Sequence, residues 1–204
     1  MFEMDKKTHW ETVYKTKTPN QISWTQDVPQ PSLDFIESLN LEKNAKIIDV
    51  GGGDSKLVDH LLHYGFENVS VLDISAKALE RAKERLGEKA EKVTWIVGDI
   101  SDFKPTETYD LWHDRATFHF LTEAEDIEKY RNMVQNHVGG YLIIGTFSEN
   151  GPQKCSGLEI SQYTEEKLSA VIGEAFQKIN CLTIDHKTPF DTFQNFLFCS
   201  FRKR

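Results

Sequence analysis

Alternating apolar and polar stretches divide the chain into segments of two kinds. Short apolar runs predict buried strands at 45–50, 69–73, 93–97, 109–113 and 141–147. Between them, apolar residues recur at three- and four-residue spacing, which predicts amphipathic helices near 33–39, 57–64, 76–86 and 124–137. Strands that alternate with helices indicate the α/β class, with a largely parallel sheet.

Three consecutive glycines connect the first predicted strand to the helix near 57–64. Glycine lets the backbone approach a ligand closely because no Cβ intervenes, and a helix start offers free N–H groups. The dinucleotide fingerprint G-x-G-x-x-G would need its third glycine where Lys56 stands. Asp49, two residues before Gly51, suits a cationic amino group better than a pyrophosphate. Together, these features favour an adenosine cofactor other than a dinucleotide.

Composition narrows the class of protein further. The 204 residues fit one domain with a sizeable core and carry a formal charge of −8. An acidic chain lacks the basic surface of a nucleic-acid binder, and no apolar run reaches the roughly 18 residues of a membrane span. Residues 1–7 contain no signal-peptide core, and three cysteines do not make a disulfide framework. We therefore expect a cytoplasmic protein without nucleic-acid or membrane partners.

The stretch from Asp49 to Gly53 resembles motif I of the class I methyltransferases that use S-adenosylmethionine. Ser55 replaces the third glycine that is usual in this family, and a serine there can cap the following helix. The segments 9–14 and 23–24 are similar to the opening of the group that includes citrate-synthase lysine methyltransferase and, more distantly, thiopurine methyltransferase. The resemblance covers residues 9–203. It implies a three-layer α/β fold whose seven-stranded sheet has the order 3-2-1-4-5-7-6, with the last strand antiparallel.

Residues at the ends of the next two strands extend the predicted cofactor site beyond Asp49, Gly51 and Gly53. Asp73 lies 73 − 53 = 20 residues after the last glycine, an offset that places a carboxylate where it can bind both ribose hydroxyls. Capping the next helix is its alternative role. The resemblance adds Ile74 beside it, Asp99 at the adenine amino group and Ile100 against the adenine ring. No metal is expected.

Residues 1–32 form a polar segment with isolated aromatic side chains. One interpretation is a helix that covers a sheet edge, with the tryptophans as anchors. The other is a lid over the cofactor, in which an indole face attracts the sulfonium. The resemblance implies the lid, with Trp24 as the first candidate and Tyr14 as the second. We divide a single domain accordingly into this segment and a core at 33–204.

The loop after the fourth strand is predicted to form the mouth of the site, because ligands of open α/β sheets bind at the carboxyl ends of strands. Asp114, Arg115 and His119 in this loop resemble the corresponding loop of the same methyltransferases. Asp114 and His119 are candidate bases for an acceptor that arrives protonated, and Arg115 would bind the acceptor. The alternative is a structural Asp114–Arg115 ion pair with His119 at a helix end.

Two strand-like runs, 179–186 and 192–201, end the chain and would supply the antiparallel part of the sheet. Cys181 and Cys199 are expected at neighbouring core positions, in the reduced state. Tyr163 and Lys167 match the Tyr-x-x-x-Lys pattern of dehydrogenases, although Thr164 at a helix start explains the stretch without chemistry.

The function implied by the resemblance is methyl transfer from S-adenosylmethionine to a small molecule or a protein lysine, with S-adenosylhomocysteine as product. The residues alone leave two alternatives open. One is a nicotinamide oxidoreductase that uses Tyr163 and Lys167. The other is a non-catalytic module that binds an adenosine cofactor.

Overall fold

A computed structural model describes residues 5–204 of the chain. Its main sheet has seven strands in the order β3-β2-β1-β4-β5-β9-β8. The strands are β1 Lys46–Val50, β2 Asn68–Asp73, β3 Val93–Val97, β4 Tyr109–Arg115, β5 Val138–Phe147, β8 Phe176–Lys187 and β9 Phe193–Lys203. A separate hairpin consists of β6 Lys154–Cys155 and β7 Leu158–Glu159. Because β8 and β9 are the sixth and seventh strands of the main sheet, the predicted order 3-2-1-4-5-7-6 is confirmed.

Within residues 5–204, six α-helices accompany the sheet: α1 Lys6–Thr16, α2 Gln30–Ser38, α3 Leu57–His63, α4 Ala76–Leu86, α5 Ala124–His137 and α6 Glu165–Ile172. Local signals set their ends. The Ser75 hydroxyl accepts the N–H of Ala78 at the start of α4, and Gly87 ends this helix at a φ of +57°. None of the helices between residues 5 and 204 combines the length and apolar character needed to cross a bilayer.

Apolar side chains cover the two faces of the sheet, which gives three layers. On one face, the apolar cluster contains Leu33 of α2, Leu61 of α3 and Leu79 of α4, together with Ile47 of β1. The opposite face packs against α5 and α6. The central strands therefore read as continuous apolar runs, since they are buried on both sides. This burial leaves their carboxyl ends as the accessible edge.

Strand β9 lies antiparallel between β5 and β8, as predicted. Cys181 and Cys199 face each other across β8 and β9 and form a disulfide. The prediction that both thiols stay reduced is therefore wrong. Their placement on neighbouring strands was correct, and direct cross-strand pairing brings the two sulfur atoms within bonding distance. Cys155 remains a free, buried thiol.

Gly139 and Gly140 lie between the predicted helix at 124–137 and the predicted strand at 141–147, yet they do not form a turn. Helix α5 ends at His137, and both glycines already belong to β5. A Cβ at Gly140 would stand 2.4 Å from the carbonyl oxygen of Asp110 on β4. The glycines thus allow close approach of β4 and β5 at a bulge in their pairing.

Candidate functional site

A cavity of about 920 Å³ opens at the carboxyl ends of the central strands. Its walls include nine of the predicted site residues, from the N-terminal segment and from four strand ends: Tyr14, Trp24, Asp49, Gly51, Asp73, Ile74, Asp99, Ile100 and Arg115. Three other predicted residues do not border it, namely Gly53, Asp114 and His119. Its volume lies at the upper end of the range for small-molecule sites.

The glycine turn brings three parts of the chain together. Gly51 has a φ of +66°, and a Cβ there would stand 1.6 Å from Oγ1 of Thr117 in the loop after β4. Gly53 has a φ of +50°, and a Cβ there would stand 2.7 Å from the hydroxyl of Tyr14 on α1. Gly53 therefore contributes by making room for Tyr14 rather than by lining the cavity. The positive φ angles explain why residues other than glycine would be strained here.

Asp49, His113 and Ser32 form a buried chain of hydrogen bonds along the cavity wall. His113 Nδ1 lies 2.8 Å from Asp49 Oδ1, and His113 Nε2 lies 2.9 Å from Ser32 Oγ. All three side chains are buried. Because a carboxylate only accepts hydrogen bonds, Nδ1 carries the proton of a neutral imidazole and Nε2 accepts the Ser32 hydroxyl. A group that hydrogen-bonds Ser32 therefore has a route for its proton to the imidazole.

Asp73 is buried at the end of β2, and its Oδ1 accepts the N–H of Ser75 at 2.8 Å. Burial, together with the charges of the nearby Asp54 and Asp49, raises the pKa of Asp73 to about 7. A buried carboxyl without a cation beside it favours the protonated form until donors stabilise its charge. Ligand hydroxyl groups would supply such donors. The two roles predicted for Asp73, helix start and ribose contact, are thus compatible.

Aromatic side chains cover the cavity from the N-terminal segment. Trp24 packs edge-on against Trp10 at 5.5 Å and against Tyr14 at 6.4 Å between ring centroids. Trp10 also packs against Phe120 at 5.3 Å, which joins α1 to the loop after β4. Glu11 fixes α1 to the rest of the fold, since its carboxylate accepts the N–H of Ala76 at the start of α4 at 2.7 Å.

Arg115 borders the cavity at the end of β4. Its Nη1 donates to the carbonyl oxygen of Trp24 at 3.1 Å, and its Cζ lies 5.1 Å from the ring centroid of Phe196. Nε and Nη2 are enclosed and have no hydrogen-bond partner among residues 5–204. Burial lowers the pKa of Arg115 to about 10, so the guanidinium stays charged at neutral pH. Between residues 5 and 204, no ion pair joins Arg115 to Asp114, so the alternative of a structural Asp114–Arg115 pair is not what the structure shows.

Asp114 is fully buried and points away from the cavity. Its Oδ1 accepts the N–H groups of Thr117 and Phe118 at 3.2 and 3.0 Å, and its Oδ2 accepts the Tyr130 hydroxyl at 2.9 Å. These three bonds hold the turn after β4 and leave the carboxylate no access to a substrate. Its predicted placement in the mouth of the site is therefore wrong. The chain turns inward at Ala116, whose φ is +63°.

His119 is also fully buried, within a short 3₁₀ helix at Phe118–Phe120. Its ring stacks on Phe147 at 4.6 Å, and neither ring nitrogen has a hydrogen-bond partner in the part of the chain that the structure describes. Burial, and to a smaller extent the charge of Arg115, lowers the pKa of His119 to about 3. So weak a base, enclosed away from the cavity, does not fit the catalytic role predicted from the sequence.

Phe198 on β9 also borders the cavity, beside a glycine of the neighbouring strand. Gly145 on β5 pairs directly with Phe198 in the sheet. A Cβ at Gly145 would stand 2.6 Å from the nearest ring carbon of Phe198. The glycine therefore lets this ring lie flat across the sheet at the edge of the site.

Ser32 and His113 are cavity residues that sequence reasoning did not single out. His113 ends the predicted fourth strand next to Asp114. Alternation of side chains along a strand puts neighbouring residues on opposite faces, so the same strand directs His113 toward the site and Asp114 away from it. Ser32 lies far away in the sequence, and only the packing of α2 brings it to His113.

Residues 47–138, which carry the glycine turn and the carboxyl ends of β1 to β4, match the family described as "Methyltransferase domain". Over this stretch, which is less than half of the chain, the protein is similar to methyltransferases. Among curated relatives, the malonyl-(acyl-carrier protein) O-methyltransferase of Anoxybacillus flavithermus is 34% identical over 106 residues, which is 50% of this chain and 39% of that protein. EEF1A lysine methyltransferase 2 of Danio rerio is 26% identical over 136 residues, 60% of this chain and 58% of that protein.

The aligned region thus spans between about two fifths and three fifths of these two methyltransferases. A solved structure supports the fold over the whole length. N-methyltransferase NodS of Bradyrhizobium japonicum, in complex with S-adenosylhomocysteine, superposes with a TM-score of 0.72 at 15% identity and covers 98% of this chain and 99% of that one.

The oxidoreductase alternative finds no support at its proposed residues. Tyr163 is buried, and its ring packs on Phe118 at 5.2 Å. Lys167 lies over the same ring, 4.8 Å from its centroid, while Thr164 caps α6. Neither Tyr163 nor Lys167 borders the large cavity. The Tyr-x-x-x-Lys pattern therefore reflects a helix start packed on the core.

Proposed function

We propose that this protein transfers a methyl group from S-adenosylmethionine to an acceptor that binds in the same cavity. The observation that carries the proposal is the coincidence of the family match with the cavity, since residues 47–138 supply the turn and the strand ends that border it. When bound, S-adenosylmethionine would supply an electrophilic methyl group on a positively charged sulfur.

The residues of this chain fit the cofactor from one end to the other. Asp73 and Ile74 would hold the ribose, and Asp99 and Ile100 would hold the adenine. Asp99 already accepts the N–H and hydroxyl of Ser101 through Oδ1 at 2.9 and 2.8 Å, which fixes its carboxylate in the wall. Ile100 follows the end of β3 and is almost fully buried. Its side chain therefore offers a firm apolar surface to the adenine ring.

The methionine end of the cofactor would lie under the aromatic cover. Asp49 would attract the amino group, although its Oδ1 is shared with His113. Gly51 lets the backbone approach, and Gly53 makes room for the hydroxyl of Tyr14. The rings of Tyr14 and Trp24 would face the sulfonium, an arrangement worth roughly 0.5–2 kcal/mol.

The chain contributes alignment, exclusion of water and, where the acceptor is protonated, a route for one proton. In-line displacement depends chiefly on holding nucleophile, methyl carbon and sulfur in register. For the proton, the Ser32–His113–Asp49 chain replaces Asp114 and His119 as our candidate. Ser32 would accept the proton of the nucleophile while its own proton passes to Nε2 of His113, and Asp49 would stabilise the resulting imidazolium.

The class of acceptor is inferred from the names of the relatives rather than from the contacts in the cavity. The relatives named above act, by their names, on a malonyl-(acyl-carrier protein) and on a lysine of EEF1A, and we keep small molecules and protein lysines as the two proposed classes of acceptor. We propose that residues 1–204 form one domain, with the segment 1–32 as a cover over the cavity.

The cytoplasm remains the compartment predicted from the sequence. The Cys181–Cys199 disulfide weighs against it, because disulfides are rare in reducing compartments. Mass analysis of the protein isolated from its own cells, without reductant, would decide.

Calorimetric titration of the purified chain with S-adenosylhomocysteine and with NAD tests the proposed function. We expect binding of S-adenosylhomocysteine at micromolar or lower concentration and none of NAD, because Lys56 stands in the third glycine position and Asp49 repels a pyrophosphate. Binding of NAD without binding of S-adenosylhomocysteine would refute the proposal.

A further inference from the structure

The charge of Arg115 is unusual among the described residues because Nε and Nη2 of its guanidinium are enclosed without an anion or a hydrogen-bond partner beside them. No carboxylate oxygen lies within 4.0 Å of its guanidinium nitrogens between residues 5 and 204. Two acids that border the same cavity have other partners: Asp27 pairs with Lys56 at 2.6 Å, and Asp49 lies 2.8 Å from His113. A buried cation in this state loses its hydration without gaining a counter-charge.

The uncompensated charge is felt by neighbouring groups. Arg115 contributes, after burial, to the lowered pKa of His119 and of His186. Because a carbonyl oxygen only accepts hydrogen bonds, Nε2 of His186 donates to the carbonyl oxygen of Ser23 at 2.7 Å. The imidazole ring offers the arginine no negative charge. The Asp49 carboxylate raises the pKa of Arg115 from a longer distance, but no carboxylate contacts the guanidinium, so an anion that enters the cavity could pair with it directly.

The geometry of the free donors is specific. Nη1 is already bonded to the Trp24 carbonyl, which leaves Nε and Nη2 without partners. These two nitrogens lie on the same edge of the planar guanidinium, and their N–H bonds are nearly parallel. This edge matches the two oxygens of a carboxylate in a bidentate pair.

The walls next to Arg115 are apolar. Phe196, Phe198, Ile184 and Phe120 border the cavity on this side, and Phe196 lies under the guanidinium. Cys155 adds a buried thiol, and burial raises its pKa to about 12, so it is neutral as well. If the charged group of an anionic ligand binds here, the uncharged part of the ligand would therefore lie against apolar side chains.

We propose that the methyl acceptor is a small organic acid, and that Nε and Nη2 of Arg115 bind its carboxylate while an apolar or aromatic body packs against Phe120 and Phe196. This inference rests on the proposed methyltransferase function and specifies its substrate class. The position is suitable, because Arg115 ends β4, across the glycine turn from Asp73 and the predicted ribose site.

The test is calorimetric and uses acids with matched uncharged amides. The full chain, saturated with S-adenosylhomocysteine, is titrated with benzoate, phenylacetate and acetate, and then with benzamide, phenylacetamide and acetamide. We expect at least one acid to bind roughly 10- to 100-fold more tightly than its amide, which is the gain expected for charge-assisted hydrogen bonds. Equal affinities of acids and amides, or binding by none of the acids, would overturn the proposal.

Two variants connect that preference to the arginine. R115Q should abolish the preference for acids, and R115K should retain part of it, because a lysine keeps the charge but lacks the paired donors. Thermal unfolding of both variants shows whether they are folded. An acid preference that survives in folded R115Q contradicts the proposal, and if R115Q does not fold, the same comparison is made on R115K.

A third measurement separates the acceptor from the amino-acid end of the cofactor, which also carries a carboxylate. S-adenosylhomocysteine and 5′-methylthioadenosine, which lacks that carboxylate, are titrated into wild type and R115Q. We expect R115Q to leave both affinities unchanged within about twofold. Selective weakening of S-adenosylhomocysteine would assign Arg115 to the cofactor and overturn the proposal. Failure of wild type to bind S-adenosylhomocysteine at all would instead refute the proposed function.

Discussion

Asp73 links cofactor affinity to pH. With its pKa raised to about 7, the carboxyl holds a proton below that value in the cofactor-free protein. Ribose hydroxyls donate to the ionised form, so binding releases the proton. We expect the affinity for S-adenosylhomocysteine to fall as pH drops from 8 to 5.5, by up to about tenfold per pH unit below 7. Calorimetry at a series of pH values measures this slope.

D73N is the matched control for that slope, because an amide has no proton to release. It should bind S-adenosylhomocysteine about 2–4 kcal/mol more weakly at pH 8 and show a flatter pH dependence. A slope shared by wild type and D73N would assign the effect to another group.

The raised pKa of Asp73 also determines how the free energy of unfolding changes with pH. The unfolded carboxyl loses its proton near 3.8, so the contribution of Asp73 to stability is lost as pH rises from there through about 7.

Ser32 tests the proton route. S32A removes the hydroxyl next to Nε2 of His113 and should leave the affinity for S-adenosylhomocysteine unchanged. It should lower turnover roughly 100-fold near neutral pH, the lower end of general-base effects, and less at high pH, where solvent removes the proton. Release of S-adenosylhomocysteine in the presence of a cell extract as acceptor source measures turnover.

The matched control is S23A, which removes another hydroxyl from the N-terminal segment without touching the cavity wall. Loss of turnover in S32A that is equal at every pH would mean that Ser32 only shapes the wall. In that case, the hydrogen bond to His113 has a structural role.

At the scale of elements, the disulfide joins the edge strand β8 to β9. It closes a segment with a sequence separation of 18 residues, for which chain-entropy arguments give about 2–4 kcal/mol. We expect reductant, or the double variant C181S/C199S, to lower the free energy of unfolding by that amount in urea denaturation. C155S is the control, since this thiol is free and its variant should respond to reductant as wild type does. Unchanged stability of wild type with and without reductant would contradict the prediction.

The elements themselves were largely predictable, because buried strands and amphipathic helices leave periodic signals. The predicted helices at 76–86 and 124–137 match α4 and α5 at both ends. The exceptions depend on partners distant in sequence. Gly139 and Gly140 look like a helix end, yet β4 draws them into the sheet, and the disulfide depends on a register that the sequence does not display.

At the scale of the whole molecule, the sequence located the site at the strand ends but not the direction of every side chain. Gly51 and the acidic residues at 73 and 99 border the cavity, because strand ends of a parallel sheet meet at one edge. Asp114 was misplaced because it alternates with His113 along β4 and faces away from the cavity, and His119 was misplaced because the left-handed backbone at Ala116 redirects the chain inward. The contact of Ser32 with His113 required the packing of α2, which no local pattern encodes.

The pair of Gly145 and Phe198 has a consequence for how acceptor range evolves in this family. Any side chain at 145 would displace the phenyl ring across from it, and the ring has the cavity on its free side. Enlarging position 145 therefore shrinks the acceptor space unless position 198 becomes smaller at the same time. The two positions should change together among related proteins, and such a compensated exchange would alter the size of the accepted substrate while the cofactor half stays intact.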